Sequence, residues 1–310
     1  MRDPFGRTVT YLRLAVTDRC NLRCRYCVPE ECGPAGGAVL SGEALVEIAR
    51  QAVLCGVKKI RLTGGEPLVR RDIADICRAV ADLEGLEELC ITTNGTALET
   101  LAGPLREAGV DRLNVSLDSL RPQRYAALTR GGRLEDVLEG LRAAERAGFT
   151  GTKLNVVLLR GVNQDEIPDF VDLTRRFPLE VRFIELMPIG EGARGDFLPA
   201  GEVLRQCPDL VPAGTGGVAR QYRLPGAPGL VGLITPMSCR FCADCDRIRV
   251  TADGMLKPCL HSEREIDLRG LAGEALRQAI AAGAAAKPER HYLAETGHSG
   301  AGRTMNRIGG

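Results

Sequence analysis

Three cysteines, Cys20, Cys24 and Cys27, fall within the eight residues CNLRCRYC, with three residues in the first gap and two in the second. Thiolates at such unequal gaps can wrap a compact polynuclear centre, and three of them on a [4Fe–4S] cluster leave one iron open to a ligand. The same i, i+4, i+7 spacing would also mark one helical face, although a buried stripe more often uses Leu or Ala. A structural zinc would want a fourth ligand close by. Cys32 is the candidate, and the intervening Pro29, Glu30 and Glu31 make it a poor one.

Far downstream, SCRFCADCDRIRVTADGMLKPCL holds Cys239, Cys242, Cys245 and Cys259. Thirteen residues and an Asp253–Gly254 turn separate Cys245 from Cys259, the pattern of a β-hairpin. If residues 245–251 are extended, Cys245, Arg247 and Arg249 share one face and Asp246, Ile248 and Val250 the other. Two guanidinium forks beside a metal ligand suit phosphate oxygens. Four thiolates could instead close a tetrahedral zinc site, and the spacing alone leaves both options open.

Elements must position these groups. Apolar, β-branched stretches at 11–16, 58–63, 88–93, 112–117, 152–158 and 180–186 read as strands. Between them, 41–55, 72–83, 97–108, 133–147 and 163–176 carry helical spacing, several opening at a Ser, Asp or Asn cap. That alternation implies a parallel sheet with right-handed crossovers, either doubly wound or a partial barrel, with ligands at the C-terminal strand ends. The first cysteine set follows the first strand directly, in a strand-end loop. Beyond residue 188 the rhythm gives way to Gly/Pro-rich segments, 211–217 and 224–230, expected as loops. We place a domain boundary near 190–200.

The chain has 310 residues, 41 Lys plus Arg against 40 Asp plus Glu, and 4% aromatics. Such balance equips neither a nucleic-acid groove nor a membrane patch, and points to a small ligand. The start, MRDPFGRTVTYLRLAV, puts charges and a proline where a signal peptide needs an apolar core. No apolar run nears the roughly 18 residues of a membrane span, so the expected compartment is the cytoplasm. Twelve cysteines there favour metal or catalysis over disulfides wherever they cluster. Cys32, Cys55, Cys77, Cys90 and Cys207 stand alone and read as small buried hydrophobes.

The C-x3-C-x2-C motif with Tyr26 before its last cysteine resembles the signature of the radical S-adenosylmethionine enzymes. TGGEP (63–67), TTNG (92–95), SLD (116–118) and ELMPIG (185–190) resemble that superfamily's S-adenosylmethionine pocket. Glycines 64 and 65 would let backbone approach a ligand, and Pro67 would hold Glu66 extended. C-x2-C-x-R-x-R with its third cysteine, together with the terminal Gly309–Gly310, is similar to the GTP 3′,8-cyclase family of molybdenum cofactor biosynthesis. The resemblance covers nearly the whole chain. It implies an α/β fold, a partial (βα)6 parallel barrel over 1–195, with a C-terminal extension over 196–310 that carries a second iron–sulfur cluster.

On that resemblance two [4Fe–4S] clusters and S-adenosyl-L-methionine are the cofactors. Cys20, Cys24 and Cys27 would hold the first cluster, and Cys242, Cys245 and Cys259 the second. Tyr26, Gly65, Ser116 and Met187 would touch S-adenosylmethionine. Arg13, Arg61, Thr92, Lys153, Arg247, Ile248 and Arg249 would contact GTP, with Arg247 and Arg249 counted beside the first cysteine set as catalytic. The implied activity is that of a lyase closing C3′ of GTP onto C8. Implied partners are an external one-electron donor and a downstream cyclic pyranopterin monophosphate synthase, and a homodimer is compatible with the family. Val28 and Asp246 stand where the family usually has Met and Asn, and Cys239 is an extra thiol without an assigned role. Asp246 could pair with a neighbouring arginine, although alternation turns it to the opposite face. Two rivals are a radical S-adenosylmethionine peptide maturase with an auxiliary cluster and a non-catalytic zinc-ribbon protein that binds nucleic acid. The R-x-R and diglycine argue against the first, and charge balance against the second. No G-x-x-x-x-G-K-[ST] loop is present, so scattered side chains would have to grip the nucleotide.

Overall fold

A computed structural model describes residues 1–30, 39–194, 197–296 and 298–309; Cys32 and Gly310 lie outside them. All six expected strands form: β1 (Tyr11–Thr17), β2 (Lys59–Gly64), β3 (Glu88–Thr93), β4 (Arg112–Ser116), β5 (Lys153–Leu158) and β6 (Glu180–Glu185). They pair in parallel and in chain order, without the reversal of a doubly wound sheet. Residues from each of them line one cavity, so the sheet curls into a partial barrel.

The connecting helices are α1 (Gly42–Leu54), α2 (Ile73–Ala81), α3 (Leu98–Glu107), α4 (Pro122–Thr129), α5 (Leu134–Arg146) and α6 (Ile167–Arg176). Ser41 caps α1 by accepting from the Ala44 amide at 3.2 Å, as its place before the apolar repeat predicts. The sequence reading missed α4. Strand alternation divides each strand between two surroundings. Leu12, Leu14, Ile60, Leu62 and Ile91 are fully buried in the shared core with α1 and α2, each contributing about 1.5–3 kcal/mol. Tyr11, Arg13 and Arg61 face inward instead.

The later chain adds α7 (Gly201–Gln206), β7 (Val211–Gly216), β8 (Ala219–Arg223), β9 (Leu230–Ile234), β10 (Arg247–Val250), β11 (Met255–Lys257), β12 (Ile266–Asp267) and α8 (Gly273–Ala285). The expected loop at 211–217 is therefore mostly a strand. β7 pairs antiparallel with β8, and Gly217, at φ +69°, makes the tight turn between them. The 224–230 loop forms as expected until Leu230 opens β9.

The sheet grows at both ends. β9 joins β6 in parallel, and β10 joins β1 in parallel, giving twelve strands in one sheet. The predicted hairpin is the β10–β11 pair, with Arg249 opposite Lys257. Its first strand thus becomes a wall of the barrel.

Candidate active site

Parallel pairing in register produces the site's first feature. Arg249, Arg13 and Arg61 sit side by side on β10, β1 and β2, and one row below stand Arg247, Tyr11 and Lys59. Like charges directly opposite one another oppose sheet formation, and three guanidiniums in one row suit a polyanionic ligand. Burial, with Arg61 and Arg247 nearby, depresses Arg13 to about 10; Tyr11 opposes this. Burial, Arg13 and Arg247 likewise take Arg249 down to about 9.

Tyr11 stands at the centre of these cations. Its hydroxyl accepts from Arg61 Nε at 2.5 Å, and the Arg247 guanidinium lies 5.3 Å from its ring centroid. Burial resists ionisation of Tyr11, but Arg61, Arg13 and Arg247 outweigh it and bring the phenol to about 8. The phenol is neutral below that pH and becomes an internal anion above it. Binding of a polyanion at this row should therefore weaken as pH rises through 8, by up to about tenfold per unit. Calorimetric titration of GTP from pH 7 to 8.5 should show the loss, and Tyr11→Phe should flatten it.

The opposite wall is polar and internally paired. Lys153 Nζ lies 3.0 Å from Glu180, and Arg182 Nε donates to the same carboxylate at 2.8 Å. Lys153 faces the cavity as predicted, already holding a carboxylate partner. Thr92 also lines it and accepts from Arg61 Nη1 at 3.4 Å.

At the C-terminal strand ends, the three first-set cysteines occupy a loop, with only a turn at 25–27. Gly64 and Gly65 bring that loop against β2. A Cβ on Gly64 would sit 2.1 Å from the Thr17 carbonyl, and one on Gly65 2.2 Å from the Arg19 carbonyl. What these glycines avoid inside the chain is thus the backbone leading into Cys20. Glu66 is extended before Pro67, at φ −123° and ψ 111°. It accepts from Thr93 Oγ1 at 2.7 Å and the Asn94 amide at 2.6 Å, tying β2 to β3. Burial lifts its carboxyl to about 7. Tyr26 donates to Asp118 Oδ2 at 2.6 Å, fixing the last turn of the cysteine loop to the end of β4. Asp118 rises to about 6, again through burial.

The three thiols suit a shared cationic cluster. Burial pushes Cys27 up to about 12 with Cys20 adding to it, and Cys24 rises through burial, Asp118 and the other two thiols. Thiols that resist ionisation in each other's company become ligands once iron supplies the positive charge. In the second set, burial and Cys245 raise Cys259. Cys242, Cys245 and Cys259 face the cavity, whereas Cys239 does not. Arg220 Nη2 donates to the Cys239 sulfur at 2.7 Å. Among the described residues no group of three or more His, Cys, Asp or Glu is arranged for a single metal ion. A closed zinc site of four thiolates would need Cys239 to join the three cavity-lining thiols, and its sulfur instead accepts from Arg220.

Both open thiol sets line one cavity of about 690 Å³, along with Arg13, Arg61, Arg247 and Arg249. Residues 14–174 match the family model described as the radical SAM superfamily, and residues 179–293 match Molybdenum Cofactor Synthesis C. GTP 3′,8-cyclases of Alkaliphilus metalliredigens and Moorella thermoacetica are 47% and 48% identical, each aligned over 100% of both chains. The chain belongs to the GTP 3′,8-cyclase family of radical S-adenosylmethionine enzymes. The fold also matches Streptococcus suis SuiB, with TM-score 0.61 and 15% identity over 87% of this chain and 64% of that one. The SuiB structure bound to S-adenosylmethionine gives TM-score 0.62 at 15% identity, covering 89% and 68% of the two chains.

Within the family's site, Gly65, Ser116 and Met187 border the same cavity as Tyr26. Ile248 does not. It is 1% exposed and belongs to the core, because alternation along β10 turns it away from Arg247 and Arg249. Asp246 corrects the opposite way: β10 starts only at Arg247, so Asp246 escapes the alternation and lines the cavity, with Oδ1 3.6 Å from Arg247 Nε. The sequence reading also missed Glu185. Its carboxylate accepts from the Met237 and Ser238 amides at 3.0 and 2.9 Å, holding the approach to the second cysteine set on the end of β6. Its place within the quoted ELMPIG was the available signal. The tail reaches the site as well: Arg249 Nη1 donates to the Gly309 carbonyl at 2.7 Å.

Proposed function

We propose that this chain converts GTP to (8S)-3′,8-cyclo-7,8-dihydroguanosine 5′-triphosphate in molybdenum cofactor biosynthesis, with Cys20, Cys24 and Cys27 holding one [4Fe–4S] cluster and Cys242, Cys245 and Cys259 another. The observation that carries it is the shared cavity, with a row of guanidiniums between two open thiol sets. When bound, the first cluster supplies the electron that cleaves the sulfur–carbon bond of S-adenosylmethionine. Tyr26, Gly65, Ser116 and Met187 border the space for that cofactor at the strand ends. Arg13, Arg61, Arg247 and Arg249 would take the triphosphate, whose binding energy would serve to orient the ribose within the cavity. Lys153 and Thr92 bound the nucleotide on the far wall. Ile248 enters only as the spacer that aims its two arginine neighbours.

In this reading residues 1–195 form the S-adenosylmethionine barrel and 196–310 the second-cluster region. An external one-electron donor feeds the first cluster, a cyclic pyranopterin monophosphate synthase takes the product, and the chain works in the cytoplasm, where thiols stay reduced. A homodimer is part of this reading. No helix among the described residues is long and apolar enough to cross a membrane. Anaerobic incubation with GTP, S-adenosylmethionine and a reductant should yield equal amounts of 5′-deoxyadenosine and cyclised nucleotide. Deoxyadenosine without the cyclised nucleotide would reject GTP as the substrate.

A further inference from the structure

Lys287 follows α8 and is 4% exposed, yet none of the groups described above accounts for it. Its ammonium donates to the Arg247 carbonyl at 2.5 Å and the Pro258 carbonyl at 3.3 Å, and lies 3.5 Å from Cys245 Sγ. All three acceptors belong to the second thiol hairpin. Arg247 is two residues past Cys245, and Pro258 immediately precedes Cys259. None is a carboxylate, so a buried cation is met by two carbonyl dipoles and one sulfur. Buried charge calls for a countercharge, and thiolates bound to iron would provide it.

We propose that Lys287 is a positioning residue of the second iron–sulfur cluster, bridging the carbonyls beside Cys245 and Cys259 and donating to the Cys245 sulfur so that the cluster's reduction potential is raised. The proposal rests on the reading that Cys242, Cys245 and Cys259 hold a cluster. Bridging sets the separation of two ligands that flank the hairpin, Cys245 before β10 and Cys259 after β11. A positive charge and a hydrogen bond at a ligating sulfur favour the reduced cluster, which carries one more negative charge. They would also offset the electrostatic effect of a triphosphate entering the same cavity.

The test compares Lys287→Gln and Lys287→Arg with the parent, all reconstituted anaerobically. Iron content is measured, and redox titrations are followed by electron paramagnetic resonance. Cys259→Ala protein, which in this reading keeps only the first cluster, identifies the second cluster's signal by difference. Lys287→Gln should shift that cluster's midpoint negative by the equivalent of a tenfold change in its reduction equilibrium, about 59 mV for one electron. Lys287→Arg should stay near the parent, and the first cluster's midpoint should not move. Full iron with an unmoved midpoint in Lys287→Gln overturns the proposal. Should that variant lose its cluster, parent protein labelled with 15N-lysine decides by pulsed resonance. A 15N coupling at the reduced second cluster supports the assignment, and its absence overturns it. If iron content of the chain does not fall on Cys259→Ala, the cluster reading itself fails and the proposal with it.

Discussion

Cys259→Ala protein, reconstituted without oxygen, is expected to retain about half the parent's iron, since in the proposed reading separate thiol sets hold two clusters of equal iron count. It should still form 5′-deoxyadenosine, because Cys20, Cys24 and Cys27 occupy a different loop, at the end of β1. Cyclised nucleotide should fall by at least about 10³-fold, a modest part of the 10⁵ M or more that fixed orientation can supply. The uncoupling is the informative part. Cys259 is contributed by the segment after β11, across the hairpin from Cys245, so its loss opens the cage without disturbing the barrel strands. Iron analysis and chromatography of both nucleosides check the result; coupled product formation with unchanged iron would remove the second cluster from the mechanism.

Arg13→Met should act on stability and activity with opposite signs. In the free protein Arg13 stands between Arg249 and Arg61 in register, and burial with Arg61 and Arg247 disfavours its charged form. An apolar side chain of similar length removes that cost, so the melting temperature should hold or rise. In the proposed reading, with GTP bound, the same guanidinium becomes a buried partner of phosphate. Truncating one side of such a pair costs about 2–5 kcal/mol, so kcat/KM for GTP should fall by roughly 30-fold to several thousandfold. Calorimetry of the free protein and steady-state kinetics test the two halves separately. A large drop in melting temperature would mean that Arg13 serves the fold rather than the nucleotide.

Much of this was legible because local rules carry it. The six strands and five of the helices follow from periodicity, with a side-chain cap formed at Ser41 of α1 but not at the starts of α2, α3, α5 and α6, and Cys20, Cys24 and Cys27 fall in a loop because they directly follow a β-branched strand. The β10–β11 hairpin follows from its Asp-Gly turn. The helix α4 was missed because its eight residues show weak amphipathic spacing. The strand β7 was missed because its Gly- and Pro-containing sequence earns little intrinsic preference, and the pairing with β8 supplies what propensity does not.

Spacing along the chain, then, was enough to name the first thiol set, the strand that precedes it and the arginines beside a second group of four cysteines, because metal ligation and strand alternation are both short-range patterns; the choice of three among those four came from the family resemblance. It could not say that Arg249 would stand beside Arg13, that Asp246 would reach the cavity while Ile248 entered the core, or that Lys287 would meet the Cys245 sulfur. Those facts depend on β10 adding to β1 in parallel and in one register, a choice made by burial of its Ile248 and Val250 face against the helices. Pairing between segments so distant in sequence is decided only when the whole sheet forms, since a one-residue slip would exchange the two faces.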